Sequence, residues 1–114
     1  MENTIENRKI IEEHFKNSDF KPAGGKVDTV NTHSFMLFGC GWGCIILKCI
    51  CIQFDSERLL PHIEIEYSPC SKPSRYFYME LTKENILKLP KTEKEFFDNY
   101  FPLMKMEKAD YYKK

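Results

Sequence analysis

At 114 residues the chain has the length of one domain, and it can bury a core without a metal or disulfide staple. Its 17 Lys+Arg balance 17 Asp+Glu, which excludes a protein built to coat nucleic acid or an acidic membrane, since both need a basic excess. Aromatic residues at 14% exclude a disordered chain.

Residues 3–17 read as a helix. Asn3 or Thr4 can cap it, Glu2 and Glu6 lie near its start and Lys16 near its end, as the helix dipole favours. Ile5, Ile11 and Phe15, with Ile10 beside them, form its apolar stripe. The charged stretch Met1–Asn17 has no apolar core of a signal peptide, so cytoplasmic residence is the expectation. Ser18–Gly25, with Pro22 and Gly24–Gly25, reads as a linker, and Val27–Phe38 as a first strand.

Phe35–Phe54 is twenty residues with one charge, Lys48, and a hydropathy window alone would mark it as a membrane span. Gly39, Gly41 and Gly43 break the run, and four isoleucines in Cys44–Phe54 favour strand over helix. The expected structure is a hairpin turning through Gly39–Gly43, with no membrane segment. Its second strand is apolar on both parities, as in a central strand covered on both faces.

Asp55–Arg58 is a charged turn. Leu60–Tyr67 alternates cleanly, with Ile63, Ile65 and Tyr67 on one face and His62, Glu64 and Glu66 on the other. Ser68–Ser74 is a loop with two prolines. Arg75–Leu81 is a fourth strand, with Phe77, Met79 and Leu81 on one parity and Tyr76, Tyr78 and Glu80 on the other. Thr82 caps a helix over Lys83–Leu89 that Pro90 ends, and Thr92 with Glu95 forms a capping box for Glu93–Phe101. Beyond Pro102, Leu103–Tyr112 reads as a further short helix.

The expected domain spans 1–114: an N-terminal helix (3–17), a sheet (27–81) and C-terminal helices (83–112). Short connections make the sheet a four-stranded antiparallel meander, and the helices cover one of its faces in an α+β fold.

The other face is where function is expected. It would present His62, Glu64, Glu66, Tyr76, Tyr78 and Glu80, tyrosines among acids that suit a protein partner with a basic surface. The alternation His62-x-Glu64-x-Glu66 also aims three metal-ligating types one way, but an exposed strand offers neither enclosure nor supporting groups. The five cysteines, spaced C-x3-C-x4-C-x-C through Cys51 with Cys70 apart, do not match a zinc pattern. No cofactor is expected, and the thiols read as reduced.

Gly41-Trp42-Gly43-Cys44 resembles the GWGC motif of the autophagy-type and ubiquitin-fold-modifier cysteine peptidases, where the cysteine opens a helix. Leu60-Pro61-His62 echoes their Asp-Pro-His, with Leu60 in place of the Asp. That resemblance implies a catalytic Cys44–His62 pair. The strand-like residues after Cys44 speak against it, since a thiol pKa is lowered at a helix N-terminus, and the expectation is a protein that is not an enzyme. In size and build the chain is similar to the small immunity proteins that neutralise bacterial toxins by covering their active sites. A phage-type inhibitor of a host defence protein and a homodimeric interaction module are the alternatives.

Overall fold

The computed structural model describes residues 1–23, 31–41, 44–70 and 72–113. Helix α1 covers Ile5–Phe15 and is followed by strands β1 (Lys21–Pro22), β2 (Thr32–Gly41), β3 (Cys44–Gln53), β4 (His62–Ser68) and β5 (Arg75–Met79). Helices α2 (Lys83–Lys88) and α3 (Glu93–Glu95) come next, and α3 widens into a π segment at Phe96–Tyr100 and a 3₁₀ turn at Phe101–Leu103. The widening sits just ahead of Pro102, whose ring and missing N–H disrupt an α-helical ladder there.

The fold is α+β with an antiparallel sheet, as expected, but the sheet has five strands in the order β1-β2-β3-β4-β5. The added strand lies within the stretch expected to be a linker. Pro22 is tolerated because β1 is an edge strand of two residues, where the missing N–H need not enter a ladder. The first long strand is Thr32–Gly41 rather than Val27–Phe38, and residues 27–30 lie outside the described residues. The hairpin is present, with Gly41 opposite Cys44, while Trp42 and Gly43 of its turn lie outside the described residues. The helix expected over 103–112 does not form. Past Leu103 the chain makes only single bridges, at Lys105 and at Tyr112.

The caps explain the helix starts. Thr4, Thr82 and Thr92 each accept a bond from the N–H three residues on, at 3.1 Å in each case. Glu95 closes its half of the box one residue early, accepting from the Lys91 N–H at 2.9 Å.

Register places one row of side chains across the sheet toward the helices: Phe35 opposite Ile50, Ile50 opposite Ile65, and Ile65 opposite Phe77. Ile11 and Phe15 of α1, Ile86 and Leu89 around α2, and Phe96 cover that row, and all five are buried. Phe15 stacks on Phe35 with centroids 4.1 Å apart. His14 Nε2 lies 2.8 Å from the Leu89 carbonyl, so it carries the proton and ties α1 to the C-terminal helices. Among the described residues, no helix is long and apolar enough to cross a membrane.

Candidate functional site

Period-two alternation in β4 and β5 sends the complementary set to the face away from the helices. There Glu64 stands opposite Tyr78 and Glu66 opposite Tyr76, with Cys51 and Cys49 of β3 completing the two rows. The Tyr78 hydroxyl donates to Glu64 Oε1 at 3.1 Å. Tyr76 and Tyr78 lie side by side, centroids 6.3 Å apart and rings 23° from parallel. Glu64, Glu66, Tyr76 and Tyr78 are thus brought together as the alternation predicts.

The other two candidates are placed differently. His62 opposes Gln53 on the same face but is buried, because the Tyr111 ring stacks on it at 4.0 Å and 16°. Its Nδ1 lies 2.8 Å from the Leu60 carbonyl and so holds a proton. Glu80 follows the end of β5, exposed, with its carbonyl accepting from the Asn85 side chain at 2.8 Å. It does not join the rows.

The tail that covers His62 was not foreseen. Lys105 pairs with Tyr76 on the outer edge of β5, through Tyr76 N–H to Lys105 O at 2.7 Å and the return bond at 2.9 Å. The chain then crosses the acidic face and reaches residues 58–60 on its far side. There the Leu60 N–H donates to Tyr111 O at 2.8 Å and the Lys113 N–H to Arg58 O at 2.7 Å. Lys108 lies over the Tyr76 ring, 5.7 Å from its centroid. We call residues 105–113 the strap. Only the tyrosine pair Tyr111–Tyr112 near the end of the chain hinted that this segment is anchored.

The face is electrostatically costly. Burial and the neighbouring Glu64 carboxylate raise the Glu66 pKa, and Lys108 opposes them. Burial, then the Glu64 charge and hydrogen bond, raise the Tyr78 phenol, so it remains a donor throughout the physiological range. A carboxylate whose folded pKa is raised contributes stability below its unfolded value of 4.5, and that contribution is lost as pH rises through the folded value. At neutral pH, ionised Glu66 therefore opposes folding. Glu66→Gln is expected to raise the urea midpoint at pH 7 and to lose that advantage below pH 4.5, where both folded and unfolded wild type carry the proton. Urea titrations across that range check both sign and window.

The sequence raises two other chemistries, a metal site and a catalytic cysteine. Among the described residues, no three His, Cys, Asp or Glu are grouped to hold a metal ion. Cys44 opens β3, whereas His62 pairs with Gln53 at the other end of that strand. Nine residues of extended chain separate them, about 30 Å, far beyond hydrogen-bond reach for a nucleophile and its base. Cys44 also begins a strand, not a helix.

Comparison with protein-family models, with curated proteins and with solved structures gave no match to this chain.

Proposed function

We propose that the chain is a protein-binding inhibitor of the immunity type, which neutralises a bacterial toxin by laying its acidic tyrosine face over the toxin's active site. A basic nuclease is the target that this face fits best. The observation that carries the reading is the cross-strand pairing of Glu64 with Tyr78 and Glu66 with Tyr76. Tyrosines supply rigid contact area with a polar tip, and the carboxylates steer a basic partner and fix its register. Keeping Glu66 ionised against its neighbours costs stability, as is common where charge is retained for binding. Cytoplasmic residence belongs to the same proposal. An inhibitor that a phage directs at a host defence nuclease would use the same physics.

The test is co-expression with the product of the reading frame immediately upstream. The wild-type chain should restore growth and bind that product, and Glu64→Lys/Glu66→Lys should weaken binding at least a hundredfold without loss of helix or sheet content by circular dichroism. Full protection by the double variant would remove the reading.

A second reading is self-association, favoured by the outer end of the β2–β3 hairpin. β4 stops pairing with β3 at Leu47 and β1 stops pairing with β2 at Met36, so the hairpin runs past its neighbours. Phe38 and Ile45, on the same face of this projection, are 64% and 62% exposed. Apolar side chains beside strand edges that no described strand pairs favour sheet extension by a second copy. Light scattering should then report a dimer that Phe38→Lys/Ile45→Lys converts to monomer; a wild-type monomer at high micromolar concentration rejects this reading.

A further inference from the structure

The proposed binding face already has an occupant. The strap crosses it between two anchors, the Lys105–Tyr76 bridge on the β5 edge and the Tyr112–Leu59 bridge on the far side. Between them it has no helix or strand, and residues 105–110 are exposed. It packs loosely. An open pocket of about 330 Å³ lies beside Tyr76–Tyr78, Leu103 and the strap residues Lys105 and Glu107–Ala109, and a second of about 140 Å³ lies among His62, Glu64, Tyr78 and Tyr111. Both pockets open to solvent, so the strap is seated on the face by its contacts with Tyr76, Tyr78 and His62 and not as part of a packed core.

Its contacts are nonetheless specific in kind. Lys108 sits over Tyr76 and acts on the Glu66 carboxylate. Tyr111 stacks on His62 and packs against Tyr78 at 5.3 Å. A cation over a tyrosine beside a carboxylate, and an aromatic three residues later on an imidazole, are what a basic peptide would supply to this face.

We propose that the strap is a displaceable internal ligand, and that the partner binds by lifting it and inserting its own extended segment, with lysine or arginine where Lys108 lies and an aromatic three residues later where Tyr111 lies. This rests on the reading of the face as a protein-binding surface, and adds the chemistry of the partner and a step that regulates access. The strap lowers apparent affinity by the fraction of time it is closed, so a strap shut nine-tenths of the time weakens binding about tenfold. It also covers the aromatic surface until a partner arrives, which limits nonspecific association.

The bridge geometry offers a lock for the full chain. Leu59 and Tyr112 form a pair flanked by the bonds Leu60 to Tyr111 and Lys113 to Arg58, so they are a non-hydrogen-bonded antiparallel pair. Cα atoms in such pairs stand about 4.5 Å apart, within disulfide range. Leu59→Cys/Tyr112→Cys should therefore form a disulfide across the bridge, confirmed by mass spectrometry of the linked tryptic peptides. The probe is a fluorescein-labelled synthetic peptide with the sequence of residues 105–114, followed by anisotropy at low salt.

After reduction the double variant should bind this peptide at least tenfold more tightly than when oxidised, and wild type should show no such redox dependence. Peptides with Glu in place of Lys108, or Ala in place of Tyr111, should bind at least tenfold more weakly. Equal affinity of the oxidised and reduced forms overturns the displaceable strap. Adding Glu64→Gln/Glu66→Gln to the reduced variant separates the two ideas. Undiminished peptide binding there overturns the acidic face as the seat, whereas lost binding without a redox effect leaves the face standing and removes only the strap.

Discussion

Ile50→Ala is expected to lower the unfolding free energy by about 2–5 kcal/mol, a large share of the ~5–15 kcal/mol by which domains are usually stable. Ile50 is central by every local measure. It lies in the middle strand of five, opposite Phe35 on one side and Ile65 on the other, with no exposure to solvent. Truncation removes three carbons from the row onto which α1 and the C-terminal helices pack. The cavity that remains is bordered by β-sheet on both sides, which cannot collapse into it as a mobile loop could. Cys51→Ala, one residue along and on the other face, should cost less than about 1 kcal/mol, since Cys51 is only partly buried and loses one atom. Urea unfolding of the two variants measures the contrast. Equal losses would mean that the two faces of β3 are not divided as the register divides them.

That division was readable before any coordinates. Ile63, Ile65 and Tyr67 alternate with His62, Glu64 and Glu66, and Arg75–Met79 continues the rhythm in phase because the loop between them closes an antiparallel pair. Once the phase is set, Glu64 must meet Tyr78 and Glu66 must meet Tyr76, so the placement of four of the six candidate residues on one face follows from parity alone. The other two stand apart from the rows for distinct reasons. Glu80 has the right parity but follows the end of the strand, and strand ends are poorly marked by pattern. His62 has the right parity and position, yet it is covered by Tyr111, forty-nine positions away in sequence. The strap has neither the 3.6 nor the 2.0 period, and what seats it is long-range: bonds at its ends, Lys108 over Tyr76 and the Ala109 backbone on the Tyr78 hydroxyl. Nothing local in Lys105–Lys113 encodes where it lies. β1 was missed for a similar reason: two residues, one of them proline, carry no periodicity, and the segment is a strand only because β2 offers it an edge.

Lys48→Glu is the second large loss, about 3–5 kcal/mol, while Lys48→Met should remain within about 1 kcal/mol of wild type. Lys48 is the single charge in Phe35–Phe54, and it points toward the helices with its side chain 5% exposed. Its ammonium lies 3.4 Å from Glu93 Oε1 and 5.5 Å from the Phe97 centroid. A glutamate would place an unpaired carboxylate against Glu93 and the electron-rich face of Phe97, whereas methionine keeps the stem and discards a buried charge whose partner can return to water. The reason for having the lysine is then specificity rather than stability. β3 is apolar on both parities, so a slip of one residue would still bury hydrophobic side chains on either face. It would, however, carry Lys48 to the opposite face, away from Glu93. Lys48→Met should accordingly unfold at nearly the wild-type urea concentration but show doubled amide resonances for β3 in a nitrogen–proton correlation spectrum. A single set of sharp resonances in that variant would show that the isoleucine row alone holds the register.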